Sequence, residues 1–226
     1  MRRTAVATFG LLLAAAVQAG SASAQAAAST AQAGTSPAQV HLGHLTTRFV
    51  TVPNGQGLVT VAVADARVAI QHANLGAQNP NDLAAMKTHA NHIIHALDPR
   101  RIAQGPGSGF GVFTAAEQIA RHAELAGRAT GSNQQVTTHS THVAASARNT
   151  RRRADQIVAL AQTIADHVDN PQDAAKLFAD IQRLSNQLLT GVDANNDGQV
   201  GWQEGEGGLN IVEQHVGFMR TAASGS

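Results

Sequence analysis

The sequence predicts an all-α protein: a helical bundle of two duplicated helix hairpins, extended by a C-terminal helix-loop-helix unit. Three observations carry this expectation. Apolar residues recur at spacings of three and four along most of the chain after residue 57. All six prolines fall outside the predicted helix interiors, where each would cost a hydrogen bond. One pattern also returns at an offset of fifty residues. His72 with Thr88-His89-Ala90-Asn91-His92 is echoed by His122 with Thr138-His139-Ser140-Thr141-His142. A repeat of that length points to a duplicated supersecondary unit.

Residues 1–24 read as a secretory signal peptide. Arg2 and Arg3 precede an apolar run, and Ala22-Ser23-Ala24 offers a small-x-small cleavage site. The run is too short for a comfortable membrane span. The expectation is an exported protein, periplasmic or secreted, with no membrane segment after cleavage. Residues 25–56 read as a flexible or strap-like lead. Gln25 to Gln39 is rich in Ala, Ser, Gln and Thr, and Phe49-Val50-Thr51-Val52 is a short extended run ended by Pro53-Asn54-Gly55. His41, His44 and His167 are expected at the surface.

Residues 57–168 form the predicted hairpins. A helix over 58–77 presents Leu58, Val61, Ala64, Val68, Ala69, His72 and Leu75 on one face, interrupted by Asp65. The alternation Val59-Val61-Val63 leaves a strand as the competing reading. Asn79-Pro80-Asn81-Asp82 predicts the start of the next helix, with Asn as cap and Pro in the first turn. That helix ends at Leu97, before Asp98-Pro99. A Gly-rich connection follows, with neither the strand nor the Lys-Ser/Thr of a phosphate loop. Helices over 112–128 and 134–168 make the second hairpin. Residues 169–226 form the C-terminal unit. Asn170-Pro171-Gln172-Asp173 starts its first helix, and Ile211, Val212, Val216 and Met219 mark its last.

Composition excludes several functions. The formal charge is +1, and loss of Arg2 and Arg3 brings it to about −1, so no basic excess points to nucleic acid. There is no cysteine, which removes disulfides, thiolate ligands and haem attached through thioethers. The chain has no Tyr and one Trp, Trp202, so it offers few platforms for stacking bases.

The most specific local pattern is the run from Asp193 to Glu204. Asp193, Asn195 and Asp197 offer side-chain oxygens at alternate positions. Gly198 allows a sharp bend, Gln199 offers its carbonyl and Glu204 a bidentate carboxylate. Over all twelve positions this run resembles the EF-hand calcium loop. The resemblance implies a Ca²⁺ site at Asp193, Asn195, Asp197, Gln199 and Glu204, with water in place of a side chain at Gly201. Gly205, Gly207 and Gly208 delay the outgoing helix, and no second loop is visible. These departures imply weak affinity and a structural clip rather than a switch.

The repeated histidines suggest a second kind of site. In a hairpin turning near Asn79, His72 lies roughly 10 Å before the turn and His89 roughly 15 Å after it. Side chains lean toward their own helix N-terminus, so the two converge. His92 follows His89 by one turn. The layout, doubled, is similar in spacing to the ferritin-like dimetal bundles, with His in place of each helix carboxylate. The expected ligands are His72, His89, His92, His122, His139 and His142. An all-imidazole set suits Cu, Zn or Ni. Haem held by a His pair and hydrogen-bonded or exposed histidines stay open. Helix phase turns His122, His139 and His142 inward with the apolar stripes. Met86, Ile93 and Leu97 centre away from His92, so a smaller site on the second hairpin is the fallback. His95, Asn91 and His215 are candidates for outer-shell or extra ligands. The resulting expectation is an exported calcium-binding protein whose bundle also takes a transition metal for sequestration, delivery or sensing. No general base stands beside the histidines, which weighs against a hydrolytic or redox enzyme. A partner-binding domain with calcium as a clip is the third reading; protein partners are not legible.

Overall fold

The computed structural model describes Met1 and residues 34–225. The predicted signal peptide and the lead as far as residue 33 fall on residues 2–33, outside the described residues. Every regular element among the described residues is helical. These are α1 (Pro37–Thr46), a single 3₁₀ turn (Pro53–Gly55), α2 (Leu58–Gln78), α3 (Leu83–Leu97), α4 (Val112–Arg128), α5 (Gln134–His167), α6 (Pro171–Thr190) and α7 (Leu209–Ser224).

The first correction concerns the lead. Residues 37–46 are a helix, not a flexible segment or strap. Ser36 closes a capping box: its Oγ accepts from Gln39 N at 3.3 Å, and its own N donates to Gln39 Oε1 at 2.9 Å. Pro37 fits the first turn, where no amide proton is needed. Ala38, Leu42 and Leu45 are buried, and α1 lies against α4. Phe49 to Val52 forms no strand; Phe49 N donates to Gln56 O, folding the segment on itself.

The strand reading of Val59-Val61-Val63 loses because the start of α2 is enclosed on several sides. Leu58, Val59, Val61, Ala62 and Val63 are all buried. The start of α3 shifts as well. Asp82 is its cap, with Oδ1 accepting from Ala85 N at 2.9 Å, and Asn79-Pro80-Asn81 makes the preceding turn. The other expected cap stands: Asn170 accepts from Asp173 N at 2.9 Å, with Pro171 in the first turn of α6.

Asp65 interrupts the apolar face because it anchors the Gly-rich connection. It is buried, and its carboxylate accepts from Ser108 N (2.7 Å), Ser108 Oγ (2.6 Å) and Gly111 N (3.0 Å). That fixes the approach to α4.

Helix α5, with 34 residues, is the axis of the bundle. It packs against α3, α4, α6 and α7, while α2 packs against α3, α4 and α6. The C-terminal helices therefore share the core: Phe178, Ile181 and Leu188 of α6 and Met219 of α7 are fully buried. Gly76 makes the α2–α6 approach possible, since a Cβ there would meet the Phe178 ring at 2.3 Å.

Candidate metal sites

A His-x-x-His pair on a helix places two imidazoles one turn apart on one face. Three such pairs carry the sites, on α1 (His41, His44), α3 (His89, His92) and α5 (His139, His142); His92 and His95 share the spacing, but His95 belongs to no cluster. Each pair meets one histidine from another helix. His122 of α4 completes the first triad, His72 of α2 the second and His215 of α7 the third.

The geometry recurs from site to site. His122 Nδ1 lies 3.0 Å from His41 Nδ1 and 3.2 Å from His44 Nδ1. His72 Nδ1 lies 3.0 Å from His89 Nδ1 and 3.4 Å from His92 Nδ1. His215 Nδ1 lies 2.9 Å from His139 Nδ1 and 3.4 Å from His142 Nδ1. A ring nitrogen carries one lone pair or one proton in the ring plane, so it makes one good hydrogen bond, not two. Nitrogens bound tetrahedrally at about 2.0–2.1 Å from a metal stand about 3.3–3.4 Å apart. In each cluster the two distances from the lone ring, 2.9–3.4 Å, come close to the edges of such a tetrahedron, and all three ligand atoms lie within 4.8 Å of one another.

The electrostatics keep the lone pairs available. Burial first, then the neighbouring imidazoles, push His72, His122 and His215 down to about 4 from the ordinary 6.5. His41, His89 and His142 are lowered too, by burial and then by the other histidine of their pair. A neutral imidazole is the form that binds a cation.

All six expected ligands lie in these triads, but not in one centre. His122 faces α1 rather than the pair on its own hairpin, and His139 and His142 meet His215 instead. A paired dimetal layout is therefore replaced by three separate sites. His92 belongs to the second triad despite its distance from the apolar stripe, because that site lies at the flank of the α2–α3 contact. His41 and His44 are ligand candidates rather than plain surface residues, and His215 is a full member of its triad. The signal was available: all three pairs share one spacing. His95 has another task, with its Nδ1 2.7 Å from Ile102 O.

The walls differ between sites. Phe49 lies edge-on to His44 and His122 at the first. At the third, Phe218 flanks His139 and His215, and Trp202 stacks on His142 with centroids 4.2 Å apart and planes 13° apart.

In the loop from residue 193, Asp193 accepts from Asp197 N (3.2 Å) and Gly198 N (2.9 Å). Asn195 Oδ1 accepts from Asp197 N, and Asp197 Oδ1 from Gln199 N, both at 2.9 Å. Gly198 takes φ 87°, the left-handed bend that the twelve-residue pattern requires. Glu204 does not turn toward these groups. Its side chain is 89% exposed, with Oε1 3.4 Å from Arg152. The buried carboxylate is that of Glu206, which accepts from Gly201 N at 2.8 Å. Among the described residues, Asp193, Asp197 and Glu204 form no cluster as tight as the triads.

Comparison with known protein families, curated proteins and solved structures finds no match.

Proposed function

We propose that this is an exported metal-binding protein that carries one transition-metal ion at each histidine triad, with Ca²⁺ held in the 193–204 loop. The observation that carries the reading is the threefold recurrence, on three different pairs of helices, of a lone His Nδ1 lying 2.9–3.4 Å from both Nδ1 atoms of a His-x-x-His pair. Imidazole ligands suit Cu, Zn or Ni. A haem held by two histidines needs them on opposite faces of the ring, about 4 Å apart across the iron, so a mutually facing triad weighs against it. Three sites of one design suit a cargo that is stored, delivered or sensed. The calcium part rests on the resemblance of residues 193–204 to the EF-hand loop and on the turn at Gly198.

The test is metal content and uptake, using protein purified without a His tag. Titration with Zn²⁺ is expected to saturate at three equivalents, with Ca²⁺ taken up without displacing Zn²⁺. No Zn²⁺ uptake at excess ion would remove the reading, and a Soret band on isolation would favour haem instead.

A further inference from the structure

We infer that cation uptake by the 193–204 loop raises the affinity of the third triad for its transition metal, leaving the other two unchanged. This rests on reading the loop as the calcium site and adds a regulatory role to it.

The loop is built into the third site. Trp202, the tenth of its twelve residues, stacks on His142 at 4.2 Å. The next residues are fastened to α5, the helix that bears His139 and His142. Asn149 Nδ2 donates to Gln203 O at 2.7 Å, and Asn149 Oδ1 accepts from Gly205 N at 2.9 Å. Arg153 donates to Gly207 O at 2.9 Å and also to the carbonyls of Gly205 and Glu206. The loop closes at its base, where Val192 N donates to Glu206 O at 3.1 Å. Three residues later α7 begins, and His215 lies on it. One loop thus sets the His142 ring through Trp202 and the departure of the helix that supplies His215. The first triad stands on α1 and α4 and the second on α2 and α3, outside these contacts.

Without a cation, the Asp193 carboxylate is held by backbone amides, and that of Asp197 by the Gln199 amide and the Asn195 side-chain amide (3.0 Å), all within an exposed turn. A bound cation draws the two carboxylates together and narrows the conformations open to Trp202 and to the root of α7. The third triad then has less ordering left to do when its own metal arrives, which is positive coupling between the two cations. Linkage makes it reciprocal: metal at the third triad must tighten Ca²⁺ by the same factor.

The test uses the full chain carrying His41→Ala and His89→Ala, so that only the third triad keeps three ligands. Trp202 is the only tryptophan, so Cu²⁺ bound beside it is expected to quench the fluorescence of the chain. Cu²⁺ is titrated with and without Ca²⁺, and Ca²⁺ binding is measured separately by calorimetry. The expected result is at least about a fivefold tighter Cu²⁺ titration in Ca²⁺, abolished by Asp193→Ala. Ca²⁺ binding with an unchanged Cu²⁺ titration overturns the coupling and leaves the calcium reading standing. No Ca²⁺ heat overturns both. Should the double variant not fold, Zn²⁺ calorimetry on the unsubstituted chain replaces it: Ca²⁺ should tighten one of three equivalents, and equal effects on all three or none would refute the coupling.

Discussion

His72, His122 and His215 hold the same place in their triads: each is the lone ring that faces a His-x-x-His pair from another helix. Each is also the member pushed down to about 4, by burial and then by its two neighbours. Removing that ring leaves two nitrogens from one helix and nothing to close the face. His72→Gln, His122→Gln and His215→Gln are therefore each expected to lower Zn²⁺ stoichiometry by one, read by calorimetry, with the remaining equivalents unchanged. Loss of two or more equivalents from one substitution would contradict three independent sites. At this scale the sequence was half legible. The spacing of three in each pair shows which rings share a helix face. It does not show which other helix lies against that face, because packing decides that. His122 and His139 belong to one hairpin, yet they serve different sites.

Most helix positions were readable because apolar spacing, Pro and Asn caps act locally. Helices α2, α4 and α5 begin and end close to where the periodicity places them, and α6 begins at its expected cap. One helix was missed and the role of one residue left open, both for physical reasons. Helix α1 is short, with Gly43 in it, and buries only Ala38, Leu42 and Leu45. Its clearest mark is Ser36-Pro37-Ala38-Gln39, a capping box. Since both His41 and His44 ride on α1, Ser36→Ala should cost about 1 kcal/mol of stability and weaken Zn²⁺ at the first triad alone. Urea unfolding and site-resolved titration measure the two effects. Unchanged binding at that site would mean that α4 packing, not the cap, holds α1 in place. Asp65 was the other ambiguity, and no helix-face argument resolves it, since its partners lie more than forty residues away in the Gly-rich connection. Asp65→Ala leaves the amides of Ser108 and Gly111 without their acceptor. A loss of about 2–3 kcal/mol is expected in urea unfolding, with Zn²⁺ stoichiometry retained if the bundle still folds.

Across the molecule the triads join α1 to α4, α2 to α3 and α5 to α7, so metal bound at them would tie those helices together. Metal binding to the folded chain must then raise its thermal stability by mass action. Acid should undo this, and the sign follows from the lone histidines. Their folded values near 4 lie below the ordinary 6.5 that the unfolded chain restores. Between those limits the unfolded chain takes up protons that the folded chain does not, so stability falls as pH falls. Metal-free protein should hold its full Tm above about pH 6.5, lose it progressively toward pH 4, and gain no further loss from these groups below that. In the Zn²⁺-loaded protein protons must also compete for the same nitrogens, so the gap in Tm between loaded and free protein should close over the acid range. Differential scanning calorimetry from pH 7.5 to 4, with and without Zn²⁺, reads both effects. The variant with all three lone histidines changed to Gln supplies the control: its metal-free Tm should vary less with pH in that window. An equal slope in the variant would place the acid sensitivity in other groups. A gap that stayed constant on acidification would show that the stabilising metal is not bound through imidazole.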